Sequence, residues 1–441
     1  MHVDVLILGA GTAGLNARRA AEKQGATALM VDPGPFGTTC ARVGCMPSKL
    51  LIAAADAAHH ARHADVFGVD TTVEIDGRRV MERVRRERDR FVGFVVEDID
   101  EHVARGRLKV GRGELEPNNT VRVGDEHITY DALVVATGSS TFLPPPFRPL
   151  GDVLMDSEGL FDLEDLPESV LVVGTGVIGL ELGQALHRLG VRTTLVGRSE
   201  RLGPITDPDV LATMHRVFGE ELDLVLNTTV EHIERVEGGA RVRFAGRDET
   251  FERVLMAAGR RPNLPAGVPA GDFDPNTTQL GDSNVFLAGD VSNHLPLLHE
   301  AADEGRTAGA NAARFPDIDK GLRRHPLAIV FTDPQIAMVG LKHAELDPEL
   351  HAVGHVRYDN QGRARVMNQG AGLVQVYAER ESGRLVGAEM FGPRVEHTAH
   401  LLAWAMQSEL TVFEALDRPF YHPVVEEGIR TALQSLARAL R

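Results

Sequence analysis

The chain has 441 residues, 43% of them apolar and 25% charged, which is ordinary for a globular protein and points to two to four domains. A formal net charge of −16 argues against a nucleic-acid partner, which would call for a basic face. No apolar run reaches the roughly 20 residues that span a bilayer, and no charged-then-apolar leader precedes the first strand-like run, so a cytoplasmic protein with no membrane association is expected.

Val3 to Leu8 has the pattern of a buried strand. Gly9-Ala10-Gly11-Thr12-Ala13-Gly14 follows, then a helical run from Leu15 to Lys23, then a second strand from Ala26 to Val31 that ends at Asp32. Strand, glycine loop, helix and terminal acid together form a dinucleotide fingerprint. Gly9, Gly11 and Gly14 let backbone and helix end approach a pyrophosphate, and Asp32 can bind ribose hydroxyls.

The next segment, FGTTCARVGCMPSKL, holds the chain's only cysteines, Cys40 and Cys45. Five residues along a regular helix rise about 7.5 Å, whereas a disulfide wants its α-carbons within roughly 4.4–6.8 Å. A clean helix therefore cannot close this bridge, and Gly44 and Pro47 are the residues that would let the backbone bend. A nearby cation, Lys49, would favour a thiolate. Two readings compete with a redox pair: two reduced core thiols, or half of a zinc site. Zinc would need four ligands, and neither a second Cys pair nor a nearby His pair supplies them, so no metal is expected.

Helices are expected over Leu50–His63 and Arg78–Asp100, the latter from Val80, Val84, Phe91 and Val95 at helical spacing. Its charge run from Arg85 to Arg90 fits a solvated face. Arg107 to Ile128 alternates like a β-ribbon, and Leu133–Ala136 is a strand leading into Thr137 and Gly138. After the Pro144–Pro146 linker, Val170–Val173 starts a second βαβ unit with Gly174, Gly176 and Gly179, and Glu181 lies in its helix. Two fingerprints imply two nucleotides. Arg241–Val254 reads as ribbon and strand, running into a loop from Gly259 to Asn263; Val285–Asp290 is a strand ending in Asp290. Later strands are expected around 328–331, 373–378 and 385–391, and helices over 396–407 and 426–440. Tyr421-His422-Pro423-Val424-Val425-Glu426-Glu427 holds a His and, five residues on, a Glu; by itself a His before Pro near a C-terminus is a poor catalytic candidate.

Gly37 to Lys49 resembles the redox-active disulfide motif of the class I flavin disulfide reductases, the family of dihydrolipoyl dehydrogenase, glutathione reductase and mercuric reductase. Further motifs carry the resemblance along nearly the whole chain. It departs at Thr38, usually a second Gly, and at Ala41-Arg42, usually an apolar-Asn pair; Arg42 adds a cation between the sulfurs.

The resemblance implies an α/β fold with two Rossmann-like dinucleotide-binding domains, for FAD and NAD(P), and a C-terminal α+β dimerisation domain. The expected boundaries are 1–145 (FAD, first part), 146–265 (NAD(P)), 266–322 (return to the FAD and central region) and 323–441 (dimerisation). It implies that Cys40 exchanges with substrate and Cys45 faces the flavin. Lys49 pairs with Glu181 near the reactive edge of the flavin, and Asp290 binds the ribitol chain, with Thr137 and Gly138 nearby. His422 and Glu427 are the acid-base pair supplied across a homodimer.

Leu297 to Gly305 reads closer to dihydrolipoyl dehydrogenases than to glutathione reductases. The expected activity is oxidation of dihydrolipoamide, free or on a lipoylated protein. An NADPH-dependent glutathione-type reductase is the alternative, and a flavin redox sensor without turnover is the rival from another class. With no further cysteines there is no C-terminal thiol pair, which disfavours mercuric reductase and the large thioredoxin reductases. The intact pair disfavours the soluble transhydrogenases.

For the nicotinamide, Asp32 lies 23 residues after Gly9, and the same count from Gly174 reaches Gly197, followed by Arg198 and Arg201. The acid that would hold the ribose of NAD is missing there, and guanidinium groups suit a 2′-phosphate. NAD with unusual tolerance of NADP(H) is therefore expected.

Overall fold

The computed structural model describes residues 1–441, which divide into two compact units. The first comprises Met1–Pro47, Arg83–Phe142 and Gly259–Arg323; the second comprises Ser48–Glu82, Leu143–Ala258 and Arg324–Arg441.

The first unit is built on a parallel sheet in which Leu108–Val110, Ala28–Asp32, His2–Leu8 and Glu126–Val135 lie side by side. Val285–Leu287 pairs with the end of Glu126–Val135. A ribbon, Gly113–Glu116 and Thr120–Val123, is added antiparallel. Val5, Leu6 and Ile7 are all fully buried, as expected of a parallel strand covered on both faces. One face carries the helices Thr12–Lys23 and Leu298–Arg314, which cross closely. A β-carbon on Gly305 would lie 2.3 Å from Ala13 O, and one on Gly309 would lie 2.0 Å from Ala17 O, so only glycine permits this crossing.

The second unit repeats the plan. Asp223–Val225, Arg192–Val196, Ser169–Val173, Arg253–Met256 and Leu154–Met155 form a parallel sheet, with the helix Val177–Arg188 following the central strand. His232–Val236, Gly239–Phe244 and Arg247–Phe251 form an antiparallel sheet whose Val242, Phe244 and Phe251 share a core with Leu171 and Val254. The C-terminal part has a five-stranded antiparallel sheet in the order Leu327–Val330, Gln335–Gly340, Leu385–Gly392, Leu373–Glu379, His351–Arg357. The helices Val395–Gln407 and Glu427–Ala439 pack on it. The fold is thus mixed α/β, with two Rossmann-like halves and a C-terminal α+β part. No helix is long and apolar enough to cross a membrane.

The expected helices extend further than their apolar spacing suggested, over Cys45–Arg62 and Gly77–Ala104. In the second, Met81, Val84 and Ile99 are buried, whereas Phe91 is exposed despite its spacing. Two strands of the C-terminal sheet, Gln335–Gly340 and His351–Arg357, and the helix Pro208–Glu221 had no counterpart in the sequence reading. In His351–Arg357 the inward positions are Ala352, Gly354 and Val356, too small and too mixed to give a strand signal. Their size is set by the helix Glu427–Ala439: a β-carbon on Gly354 would lie 2.4 Å from Leu436 N.

Gly354→Val is therefore expected to destabilise the fold by about 3 kcal/mol, the upper end for overpacking, read as a lower unfolding midpoint in denaturant. Gly219→Ala is the control. Its β-carbon would meet nothing within 4 Å, in an exposed part of the helix Pro208–Glu221. It should gain about 1 kcal/mol from helix propensity.

Candidate redox active site and dinucleotide cradles

Cys40 is half-buried on the short helix Thr39–Val43, and Cys45, exposed, begins the helix Cys45–Arg62. Thr38 caps the first helix by accepting from Ala41 N at 3.3 Å. Between the helices stands Gly44, with φ −128 and ψ −112, so no continuous helix joins the cysteines. A β-carbon on Gly44 would come within 3.0 Å of Thr39 O, so the turn is tight as well as bent. Pro47 falls in the first turn of the new helix, where its missing N–H leaves no hydrogen bond unmade. Arg42 is half-buried between the two cysteines in sequence.

One turn after Cys45, Lys49 Nζ donates to Glu181 Oε2 at 2.7 Å, and the other carboxylate oxygen accepts Phe331 N at 2.8 Å. Glu181 is only 4% exposed, so both its oxygens are satisfied away from water. The Lys49 ammonium also lies 4.6 Å from the centre of the Phe331 ring. Ion pair and cation–π contact act together to fix it. Phe331 was absent from the sequence-derived set; it falls at a strand end, where only the buried Glu181 beside it reveals a role.

The two glycine loops are near copies. Gly9 has φ 108 and Gly174 has φ 120, and a β-carbon on either would lie 2.3 Å from a carbonyl oxygen, that of Ala136 or Ala257. A β-carbon on Gly14 or Gly179 would lie 1.9 Å from the carbonyl of Gly9 or Gly174. Gly11 and Gly176 cap their helices with extended backbone and no side-chain hydrogen bond, and nothing lies within 4 Å of where their β-carbons would be. Each loop thus leaves an open approach to a helix N-terminus whose first N–H groups are uncapped, the setting that suits a pyrophosphate. The residues present fit two dinucleotides.

At the end of the next strand the loops differ. Asp32 accepts Ala10 N at 2.6 Å and Gly34 N at 2.7 Å, so the acid is fixed beside its glycine loop. Gly197 is buried, and a β-carbon there would lie 2.8 Å from both Thr175 Oγ1 and Leu226 Cδ2. A longer side chain would need those neighbours to move. Arg198 and Arg201 are exposed and make no ion pair, while Glu200 accepts a hydrogen bond from Asn227 at 2.8 Å.

Asp290 begins a short turn, Asp290–Ser292, and accepts Ser139 Oγ at 2.7 Å. Arg260 donates to the same serine at 2.8 Å and to its carbonyl at 2.6 Å. Thr137 and Gly138 bond to Asn263, and Gly259 O accepts Phe142 N, so Gly259–Asn263 is woven against Thr137–Phe142 in the first unit. Beneath the turn, buried Glu304 accepts Gly289 N at 2.8 Å and Ser292 Oγ at 3.3 Å. Arg323 stands 3.7 Å away. Burial pushes the Glu304 carboxyl up to about 7.

In the second unit, His422 Nδ1 lies 3.0 Å from both carboxylate oxygens of Glu427, and Val424 N donates to the same carboxylate at 3.2 Å. The hydrogen bond from His422 holds Glu427 below the usual carboxylate range. The imidazole is 78% exposed.

Because the fold favours neutral Glu304, that group's contribution to stability is complete below its ordinary value of 4.5 and is lost as pH rises through about 7. Glu304→Gln keeps the carbonyl acceptor and cannot ionise. Across that window its unfolding midpoint should fall less with rising pH than that of the wild type; parallel curves would exclude the effect.

Likenesses of three kinds place the chain among known proteins. The family model for pyridine nucleotide-disulphide oxidoreductases matches residues 3–305, and its dimerisation domain matches 327–433. Dihydrolipoyl dehydrogenase 2 of Haloarcula marismortui is 29% identical over 97% of this chain and 95% of its own. Dihydrolipoyl dehydrogenase of Halobacterium salinarum is 30% identical over 98% and 95%. The crystal structure of LpdA from Mycobacterium tuberculosis superposes with a TM-score of 0.84 at 25% identity, covering 98% of this chain and 99% of that one. The redox motif, the two cradles and these matches together make the chain a member of the class I pyridine nucleotide-disulphide oxidoreductases, flavoprotein enzymes that use FAD and a pyridine nucleotide, and within them most like dihydrolipoyl dehydrogenase.

Proposed function

We propose that the enzyme oxidises dihydrolipoamide, free or on a lipoylated protein, as a cytoplasmic homodimer with the four-part domain division read from its sequence. The observation that carries this reading is the pair Cys40 and Cys45, set on either side of a helix break with no third cysteine in the chain. Chemistry confined to one such pair suits a small dithiol.

His422 Nδ1 is engaged by Glu427, which leaves Nε2 to exchange the proton. A substrate thiol gives its proton to Nε2, and its sulfur attacks Cys40 of the Cys40–Cys45 disulfide. Cys45 leaves as a thiolate and a mixed disulfide forms. The second substrate thiol attacks the first sulfur as its proton passes to the departing Cys40 sulfur; the product disulfide closes and Cys40 is released as a thiol. The pair now holds two electrons more than before, and the proton on Nε2 is lost to solvent. FAD supplies the two-electron transfer from this thiol pair to the nicotinamide. Gly9, Gly11, Gly14, Asp32 and Asp290 would hold the flavin nucleotide, and Lys49, fixed by Glu181, would hold a positive charge near its reactive edge.

Steady-state oxidation of dihydrolipoamide by the purified holoenzyme tests the reading; no turnover with lipoamide or a lipoylated protein would overturn it. Cys40→Ser should abolish thiol turnover and His422→Ala should slow it, while flavin reduction by nicotinamide persists. General acid-base help alone is worth roughly 10²–10⁴-fold. Mixed dimers of the two variants should regain one working site if the acid-base pair is supplied by the partner. Confirmed subunit exchange with no return of activity would place the pair in the same chain.

For the nicotinamide, exposed Arg198 and Arg201 beside a strand end that lacks an acid support use of NAD together with better than usual acceptance of NADP(H). Arg198→Ala is expected to lower kcat/KM for NADP(H) about tenfold, the cost of one charge-assisted hydrogen bond, and to leave NAD nearly unchanged. Equal kcat/KM ratios in wild type and variant would return Arg198 to an ordinary surface residue.

A further inference from the structure

The turn that carries His422 is tied to a second segment of the C-terminal part. Gln361 caps the short helix Gly362–Val366, accepting Ala364 N on Oε1 at 2.7 Å, while its Nε2 donates to Val424 O at 2.8 Å. The side chain is 8% exposed, and only one orientation of the amide satisfies both bonds: a flipped group would set NH₂ against N–H and oxygen against oxygen. Val424 passes the constraint on, because its N–H donates to Glu427, whose carboxylate engages His422. The shelf beneath is rigid. Tyr358 is fully buried, and a β-carbon on Gly428, next to Glu427, would lie 3.2 Å from its ring.

We propose that Gln361 is a positioning residue for the His422–Glu427 pair, its one amide joining the Gly362–Val366 helix to the Val424 carbonyl and so fixing the turn that aims the imidazole. This rests on the reading of His422 as the proton-exchanging group. Exposed as it is, His422 has only Glu427 among its own chain's side chains to orient it. The orientation of that carboxylate in turn depends on Val424, whose carbonyl Gln361 holds. A misplacement on the scale of an ångström can cost as much as 10²-fold in rate.

The test compares Gln361→Glu, Gln361→Ala and His422→Ala holoenzymes in the thiol half-reaction, followed by rapid mixing with dihydrolipoamide across pH. Flavin reduction by nicotinamide and the thermal midpoint are measured beside it. Gln361→Glu keeps the length and the cap to Ala364 N, but once ionised its second oxygen faces the Val424 carbonyl; when protonated, its hydroxyl can donate there. The ratio of wild-type to Gln361→Glu rate should therefore grow with pH, from near one to about tenfold. Gln361→Ala should be slowed by a similar factor at every pH. In both variants nicotinamide should reduce the flavin at the wild-type rate.

Wild-type half-reaction rates in both Gln361 variants, with His422→Ala slow, would overturn the positioning role and leave the acid-base reading standing. A half-reaction that His422→Ala does not slow would overturn both. A Gln361→Glu defect that is the same at all pH values and accompanied by a lower thermal midpoint would make the residue merely structural.

Discussion

The fold depends on two places where backbone meets backbone with no room for a side chain. Ala136 O and Ala257 O occupy the positions that a β-carbon of Gly9 or Gly174 would take, and the carbonyls of those glycines stand where Gly14 and Gly179 would carry theirs. Each contact presses the start of a helix against the end of a strand. The uncapped N–H groups of the helix then project past Gly11 or Gly176 into open space. An alanine at Gly9 or Gly174 would meet both a clash and an unfavourable positive φ. The glycines of the two fingerprints are therefore also residues on which the fold depends, which is why the fingerprints could be read without any structure.

Legibility followed from how local the constraint is. The cradles, the break at Gly44 and the hydrogen-bond reach from His422 to Glu427 each involve residues within a short stretch of sequence. Constraints between distant segments left less trace. Phe331 is tied to Lys49 and Glu181 through contacts far apart in sequence, and nothing around it in the chain signals that. Gln361 reads as an ordinary polar residue until Val424 is set against it. The strand His351–Arg357 was missed because its inward positions are sized by a helix some eighty residues later, and a strand whose interior is Ala, Gly and Val lacks the β-branched alternation that marks its neighbours.

The duplicated βαβ units also show where a repeated fold is free to diverge. The close contacts agree to within about 0.1 Å between the two loops, so packing holds them. The strand end is under no such constraint. In the first unit Asp32 accepts two backbone N–H groups, Ala10 N of the glycine loop and Gly34 N after the strand, which fixes the side chain beside that loop. In the second, Thr175 and Leu226 close over Gly197, and the charged residues are displaced one position and more along the chain to exposed Arg198, Glu200 and Arg201. The first arrangement fixes a carboxylate beside the glycine loop. The second leaves guanidinium groups at the surface, where water screens them.

The turn that carries His422 poses the opposite problem, an imidazole that is exposed on its own chain. An exposed ion pair is a weak positional constraint, typically worth no more than about 1 kcal/mol. The His422–Glu427 contact alone therefore cannot fix the imidazole. What surrounds it does more: the carboxylate is also bonded to Val424 N, Val424 O is held by buried Gln361, and Gly428 rests on the ring of Tyr358. Those contacts are less exposed than the His422–Glu427 contact, so the imidazole is held by hydrogen bonds and packing one layer below it.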